Sequence, residues 1–165
     1  KNMGAQEVRT LLSLDGGRTL RPFLLPVEKV VDPLQVYLAT RVNGYWADAH
    51  VSVSNRPNPI VEKARGILKA VVAAAQPGSS AAQLMSVVQQ HLGTAGEHAI
   101  TKGGVGAGIG LSQDEAPYLS NGSDDRLQAG DVLSLRVGLE ESGTHAICST
   151  IVAIHAAGNE VLLYS

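Results

Sequence analysis

The sequence predicts an α+β domain whose strands are joined by hairpins and which contains one pair of helices. Three blocks follow one another along the 165 residues: strand patterns over 1–54, helical periodicity over 58–93 and strand patterns again over 98–165. A parallel sheet would need strands and helices to alternate, and they do not. The length suits one hydrophobic core, so we expect residues 1–165 to form a single domain.

Two hairpins are predicted in the first block. In one, strand patterns at 8–14 and 19–25 flank the turn Asp15-Gly16-Gly17. In the other, patterns at 35–42 and 45–54 flank Asn43-Gly44, a pair that strongly favours a two-residue hairpin turn. Because the turn has only two residues, it fixes the register of the two strands along their whole length. In this register Ala39 lies opposite Asp48.

The register divides the second hairpin into two faces, because side chains alternate along a strand. The first face is mostly polar or aromatic, and we expect it to line a cleft or meet water: Tyr37, Ala39, Arg41, Trp46, Asp48 and His50. The second face is apolar, and we expect it to form the core: Val36, Leu38, Val42, Tyr45, Ala47, Ala49, Val51 and Val53.

The middle block predicts two helices. Asn58-Pro59 is typical of a helix start, and Pro77-Gly78 ends this helix. Ser80 and Gln83 have the spacing of a capping box for the second helix, which Gly93 closes. The apolar stripe of this second helix includes His91, which we expect to be packed and hydrogen-bonded: Leu84, Val88, His91 and Leu92.

Strand patterns return in the last block, at 132–139, 145–154 and 161–164, with a turn at Gly158-Asn159. The glycines between 103 and 110 lack the Lys-Ser/Thr ending of a phosphate-binding loop, so they indicate close backbone packing. Cys148 lies among apolar residues and is expected to be a buried, inert thiol.

Composition excludes several classes of protein. Lys and Arg number 13 against 15 Asp and Glu, so no nucleic-acid partner is indicated. One cysteine excludes an internal disulfide and a multi-cysteine zinc site. No apolar run suits a membrane span or a secretory segment, so we expect a soluble, cytoplasmic protein. Because the chain begins at Lys1, we also expect it to be a piece of something longer.

Four motifs occur in order: GAGIGL at 106–111, EAP at 115–117, LQAGDV at 127–132 and GNEVL at 158–162. Together with GYWAD at 44–48 and Pro77-Gly78 between the helices, they resemble the creatinase/methionine aminopeptidase family, which includes the Xaa-Pro peptidases. The resemblance covers most of 35–162. It implies the antiparallel "pita-bread" fold without the family's first helix pair, which would precede Val8 and cover half of a pseudo-symmetric structure.

The resemblance also implies where metal ligands would lie. Family members hold two divalent metals with two Asp, one His and two Glu, and metal-bound water attacks the substrate. These five positions fall here at Tyr37, Asp48, Ala107, Arg136 and near Ser149. A further family His, beside the scissile bond, falls at Asp114.

Only Asp48 keeps the ligand that the resemblance implies. Alanine offers no lone pair, and a guanidinium group offers only donors and a permanent positive charge. We therefore expect Arg136 to take the electrostatic place of the metal by pairing with Asp48. Arg41 is a rival partner for Asp48, as a diagonal neighbour on the same sheet face.

These observations favour a non-catalytic domain without a cofactor, which binds a peptide, a protein or a small ligand in the residual cleft. The family has non-hydrolytic members, including the amino-terminal domain of a histone-chaperone subunit. The candidate cleft residues are Tyr37, Arg41, Trp46, Asp48, His50, Asp114, Glu115 and Arg136. For Asp48 with His50, an ion pair or a solvated polar face is the simpler interpretation; for Asp114 with Glu115, a solvated polar turn is.

Two alternatives remain open at this point. One is a metal-dependent peptidase or related hydrolase that holds two divalent ions, such as Mn or Co, with Asp48, His50, Glu115 and His145. The other is a structural subunit or fragment whose bare sheet is completed by a partner, which leaves a homo-oligomer open.

Overall fold

The computed structural model describes residues 4–16, 19–22, 32–92 and 104–164. Its elements, in chain order, are β1 (Glu7–Ser13), β2 (Arg21–Pro22), β3 (Leu34–Val42), β4 (Tyr45–Val53), α1 (Pro59–Ala74), α2 (Ala81–Leu92), β5 (Gly106–Gly108), β6 (Glu115–Leu119), β7 (Val132–Glu141), β8 (Thr144–His155) and β9 (Gly158–Tyr164). The predicted α+β order is confirmed. Predicted features at Gly17, 23–25, Gly93 and 98–103 lie outside the described residues.

The strands form two antiparallel sheets. The four-stranded sheet has the order β2-β1-β3-β4, and the five-stranded sheet has the order β6-β5-β7-β8-β9. Strand β4 lies beside β8, and serine side chains join them. The His50 N–H donates to Ser149 Oγ at 2.7 Å, and Ser52 Oγ both donates to the Ile147 carbonyl at 2.9 Å and accepts from the Ile147 N–H at 2.8 Å.

Local capping starts both helices as the sequence predicts. The Asn58 side chain accepts from the Ile60 N–H at 3.2 Å, and Pro59 is the first helical residue. In the capping box, the Ser80 N–H donates to Gln83 Oε1 at 2.8 Å and the Gln83 N–H donates to Ser80 Oγ at 3.3 Å. Neither described helix is long and apolar enough to cross a membrane.

The core lies between the helix pair and the outer face of the five-stranded sheet. Both helices pack on this sheet, α1 on β7 and β8 and α2 on β6. The side chains that fill the space are fully or almost fully buried, among them Leu68, Val71, Leu84, Leu133, Leu135 and Val152. Cys148 belongs to this core, as expected, and burial raises the pKa of its thiol to about 11.

The predicted register of the second hairpin is confirmed, but the prediction that its apolar face forms the core is wrong. Ala39 and Asp48, on the polar face, are 1% and 4% exposed. On the apolar face Val53 is 50% exposed and Tyr45 63% exposed. The reason is that the polar face turns toward β7 and β8, whereas the described helices cover the other sheet. We call the apolar face the outer face of the four-stranded sheet.

Two smaller predictions are also wrong. His91 is exposed rather than packed in the apolar stripe, although it is hydrogen-bonded as expected, with its Nδ1 2.8 Å from the Val87 carbonyl oxygen. Gly158 and Asn159 begin strand β9, so the turn falls earlier, at residues 156–157. Asn159 instead anchors the end of α1, because its side-chain amide donates to the carbonyls of Val72 and Ala75 at 2.7 and 2.8 Å.

The glycines of β5 allow backbones to approach closely, as predicted. A Cβ on Gly106 would lie 2.1 Å from the Ser134 carbonyl oxygen, and one on Gly108 would lie 2.5 Å from that of Ala116. Gly106 also has a φ of +147°, which other residues rarely adopt. Strand β5 therefore fits tightly between β6 and β7, and this fit positions β7 for the site described next.

Candidate functional site

A group of polar side chains lies where the inner faces of the two sheets meet. It consists of Tyr37, Asp48, His50, Asp114, Ser134 and Arg136, and we call it the Asp48 cluster. The pairing of the strands explains the convergence. Tyr37 lies opposite His50 on β3 and β4, while Arg136 lies opposite Ser149, whose hydroxyl meets the His50 backbone.

Asp48 is buried and held by hydroxyl groups. Ser134 Oγ donates to Asp48 Oδ1 at 2.7 Å, and Tyr37 OH lies 3.5 Å from Oδ2. Burial raises the pKa of the Asp48 carboxyl above its usual 3.8, and the Ser134 hydrogen bond and the charge of Arg136 oppose this rise. The carboxylate is thus stabilised by neutral donors more than by a contacting cation.

Arg136 does not make the expected ion pair with Asp48. Its guanidinium instead lies 3.3 Å from Asp114 Oδ1, and Asp48 forms no ion pair with any described residue. The rival partner, Arg41, donates from Nε to the Gly44 carbonyl at 3.3 Å within its own hairpin turn. Arg136 still acts on Asp48 through its charge, because it lies close enough to lower the pKa of that carboxyl.

Tyr37 and His50 are neutral groups beside Asp48, and their rings contact each other at a tilt of 37°. Their ring centroids are 4.5 Å apart. Burial is the main reason that the pKa of Tyr37 is raised to about 12, and the carboxylates of Asp48 and Asp114 add to it. Burial also lowers the pKa of His50 from 6.5 to about 4, with a further contribution from the charge of Arg136. Near neutral pH the site therefore contains an uncharged imidazole.

Two residues that the sequence analysis missed extend the cluster toward solvent. Gln113 Nε2 donates to Tyr37 OH at 2.8 Å, and Arg9 donates to Gln113 Oε1 at 2.8 Å. The Arg9 guanidinium also lies 4.9 Å from the centre of the Trp46 ring. Arg9 reaches the cluster because it lies opposite Ala39 in the β1–β3 pairing. No local sequence pattern predicts this pairing, so nothing in the sequence indicates that Arg9 belongs to the site.

The structure thus brings together five of the eight predicted cleft residues. Tyr37, Asp48, His50, Asp114 and Arg136 form the cluster, and Trp46 joins it through Arg9 and Gln113. Arg41 and Glu115 do not belong to it. Glu115 accepts from the Ser112 N–H at 3.0 Å and so holds its own loop.

On the inner face of the four-stranded sheet, two buried polar atoms have no hydrogen-bond partner among the described residues. They are Nδ1 of His50 and Nε2 of Gln35, which lies two residues before Tyr37 on the same face of β3. Buried polar atoms in proteins are nearly always paired with protein, water or a ligand. The inner face therefore retains hydrogen-bonding capacity for a bound molecule.

The side chains at the implied metal-ligand positions do not fit a dinuclear metal site. They are a phenol, a carboxylate, a methyl, a guanidinium and a hydroxyl, at Tyr37, Asp48, Ala107, Arg136 and Ser149. Among the described residues, no three His, Cys, Asp or Glu side chains are grouped so that they could hold one ion. In particular Asp48, His50, Glu115 and His145 do not form such a group.

Comparison with known proteins identifies the family. The profile of Metallopeptidase family M24 matches residues 27–155, which is most of the chain. The chain belongs to metallopeptidase family M24. This M24 chain is 31% identical over 134 residues to an Xaa-Pro dipeptidase of Lactobacillus helveticus and 29% identical to one of Lactobacillus delbrueckii subsp. lactis. Each alignment covers 75% of this chain, which spans only 36% of the length of each dipeptidase.

Solved structures confirm the pita-bread fold of this M24 chain. It superposes on the prolidase from Pyrococcus furiosus with a TM-score of 0.82 and 22% identity, covering 98% of this chain and 51% of the prolidase. The X-Pro aminopeptidase from Thermotoga maritima gives 0.79 and 20%, covering 98% and 50%. The amino-terminal domain of a FACT complex subunit from chickpea gives 0.69 and 16%, covering 92% and 41%. At these identities the likeness concerns the fold.

Proposed function

We propose that this M24 domain does not hydrolyse peptides and uses the Asp48 cluster to bind a peptide, a protein segment or a small ligand without a metal cofactor. The observation that carries this proposal is the environment of Asp48. Its two oxygens face the hydroxyls of Ser134 and Tyr37, with the charge of Arg136 nearby. These groups lie at both oxygens of the carboxylate, the atoms that metal ions would otherwise contact.

The charge of Arg136 supports the loss of the metal site. Two unit charges 4 Å apart interact by about 4 kcal/mol at an effective dielectric constant near 20, and a divalent ion doubles the interaction. A guanidinium at a position where family members have a glutamate therefore repels the ion that the glutamate would attract. Arg136 cannot relieve this repulsion by losing a proton, because its charge is permanent.

The capacity to bind comes from the groups that stay unpaired or accessible. His50 Nδ1 and Gln35 Nε2 have no hydrogen-bond partner in the part of the chain that the structure describes, while the Asp114–Arg136 pair remains partly exposed to solvent. A ligand that enters the inner face would meet an ion pair first and neutral hydrogen-bonding groups beyond it. This arrangement suits a chain with peptide-like amide groups, whose carbonyls and N–H groups are uncharged donors and acceptors.

An assay of dipeptides ending in proline, with Mn²⁺ or Co²⁺ added, tests the loss of hydrolysis. We expect the same background rate from the wild-type chain, from the Asp48→Asn variant and from Asp124→Asn, a control on an exposed carboxylate. Metal-dependent turnover that Asp48→Asn abolishes and Asp124→Asn preserves would overturn the proposal. It would favour a metal-dependent hydrolase with an altered ligand set, an activity in keeping with the similarity to an Xaa-Pro dipeptidase.

A second candidate function, a structural subunit completed by a partner, is favoured by the outer face of the four-stranded sheet. Pairing of β1, β3 and β4 places thirteen uncharged side chains on this face: Val8, Thr10, Leu12, Leu34, Val36, Leu38, Thr40, Val42, Tyr45, Ala47, Ala49, Val51 and Val53. Several of the large ones are exposed, including Leu38 and Tyr45. Exposed apolar patches of this kind mark interfaces in soluble proteins.

Analytical ultracentrifugation over a concentration series separates this second candidate from the first. If the face is an interface between copies, the wild-type chain associates as its concentration rises, whereas the double variant Leu38→Lys with Tyr45→Lys stays monomeric. Gln89→Lys is the control, because Gln89 is exposed on helix α2 and lies outside this face. We expect this variant to associate as the wild-type chain does. A wild-type chain that remains monomeric throughout the series would contradict association through this face.

A further inference from the structure

A cavity separate from the Asp48 cluster lies under helix α1. Its volume is about 340 Å³, and it opens between α1 and the part of the five-stranded sheet formed by β8 and β9. The helix contributes four residues with the spacing of one helical face, and the strands contribute three: Arg65, Leu68, Lys69, Val72, Ser149, Thr150 and Val161. Ligand cavities in proteins usually measure about 300–1,000 Å³, so this one suits a small molecule.

The cavity combines an apolar floor with two positive charges. Leu68, Val72 and Val161 supply the apolar surface, while Arg65 and Lys69 lie one helical turn apart on the same wall. No carboxylate is among its described lining residues. A few polar groups placed on a mostly apolar wall are typical of small-molecule sites.

The two cationic side chains differ in whether they form an ion pair. The Arg65 guanidinium has one contact to Glu62, at 3.0 Å and in the exposed part of the helix. Lys69 forms no ion pair with any described residue. The charge of Arg65 also reaches the sheet below, where it lowers the pKa of the buried Cys148 thiol, while burial and the charge of Glu62 raise it.

We propose that this cavity binds a small amphipathic carboxylate, such as a medium-chain fatty acid. Arg65 and Lys69 hold the carboxylate, and the aliphatic chain lies against Leu68, Val72 and Val161. A guanidinium group matches the two oxygens of a carboxylate with parallel hydrogen bonds, and a lysine adds a point charge. Thr150 already donates its hydroxyl hydrogen to the Leu163 carbonyl, so it adds an acceptor rather than a second donor.

Calorimetric titration of the whole chain with octanoate tests this site, with octanol and octylamine as neutral and cationic probes of similar shape. We expect octanoate to bind and the other two probes to bind at least tenfold more weakly. Lys69→Gln and Arg65→Gln should each weaken octanoate binding at least tenfold. The matched control is Lys63→Gln on the same helix, because Lys63 pairs with Glu141 and does not line the cavity.

Two further measurements show where octanoate binds and whether the variants remain folded. Urea unfolding of each variant checks that removing one surface charge leaves the fold intact. Methyl signals of Val72 and Val161 in NMR spectra should shift on addition of octanoate, and those of Val36 and Val51 should not. Absence of octanoate binding, equal binding of octanol, or equal weakening by Lys63→Gln would each overturn the proposal. None of these outcomes bears on the Asp48 cluster, whose residues the variants leave unchanged.

Discussion

Asp48 sits in a protein environment that disfavours its charged form, and this has a consequence for stability. Burial raises the pKa of the Asp48 carboxyl in the folded chain above its usual 3.8. A carboxyl with a raised pKa stabilises the fold only in its protonated form. Its contribution is therefore complete below pH 3.8 and is lost as the pH rises through the folded-state pKa. At neutral pH the charged carboxylate opposes folding.

The first prediction is that Asp48→Asn stabilises the chain at pH 7. Asparagine keeps an oxygen that can accept from Ser134 and removes the buried charge. Urea unfolding at pH 7 should give a higher free energy of unfolding for the variant than for wild type, and the difference should shrink as the pH falls through the raised pKa of Asp48 toward 3.8. Asp124→Asn, on an exposed carboxylate, should show neither effect. A variant less stable than wild type at pH 7 would contradict this interpretation of Asp48.

His50 gives a second prediction, with the opposite sign. Its pKa falls from 6.5 to about 4 on folding, so the contribution of the neutral ring is complete above pH 6.5. That contribution is lost as the pH drops through 4, and it amounts to about 3 kcal/mol at most. His50→Gln should therefore flatten the decline in unfolding free energy between pH 6.5 and 4. The exposed His155 provides the control, since His155→Gln should leave the slope as in wild type.

At the scale of single elements, short-range signals predict the structure well. Asn43-Gly44 sets the hairpin register, Asn58-Pro59 starts α1, and Ser80 with Gln83 starts α2. Each signal works through residues at most four positions apart, so the sequence contains the whole interaction. Strand β6 was not predicted, because Glu115–Leu119 is short and becomes a strand only by pairing with β5.

The glycines of β5 and α1 provide a matched pair of variants at this scale. Gly106→Ala would place a methyl 2.1 Å from the Ser134 carbonyl oxygen in a backbone conformation that alanine rarely adopts. We expect it to lower the free energy of unfolding by about 2 kcal/mol or more. Gly66→Ala, in helix α1 with nothing within 4 Å of the new methyl, should raise it by about 0.5–1 kcal/mol.

Chemical unfolding of the two variants decides whether close packing of β5 holds β7 in place. Equal effects of Gly106→Ala and Gly66→Ala would show that the space around β5 can relax. An NMR spectrum of Gly106→Ala should also show changes at Ser134 and Asp48, since the new methyl pushes directly on the strand that carries Ser134. Changes confined to β5 would contradict that coupling.

At the scale of the whole molecule, the sequence predicts the fold class and the pairing but not which face is buried. Alternation in β3 and β4 distinguishes two faces correctly, yet the buried one is polar because β7 and β8 lie against it. Which sheet approaches which face depends on contacts about a hundred residues apart, such as Ser52 with Ile147. The same distance in sequence explains why Arg9 and Gln113 were not among the predicted site residues.

The sequence predicts which residues form the site better than it predicts which of them contact each other. Resemblance to the family located Tyr37, Asp48 and Arg136 at one place, and the described structure brings them together. The partner of Arg136 is Asp114 rather than Asp48, whose oxygens instead lie against the hydroxyls of Ser134 and Tyr37. Local sequence could not predict these partners, because Tyr37, Ser134 and Asp114 come from β3, β7 and the loop before β6.

Metal stoichiometry of the purified chain tests directly whether protein groups have replaced the metal ions. The chain is incubated with excess Mn²⁺, freed of unbound ions by gel filtration and analysed by mass spectrometry for manganese per chain. We predict well below one ion per chain, with Asp48→Asn giving the same value as wild type. Two ions per wild-type chain, lost in Asp48→Asn, would instead show that this domain has a dinuclear metal centre and that protein groups have not replaced it.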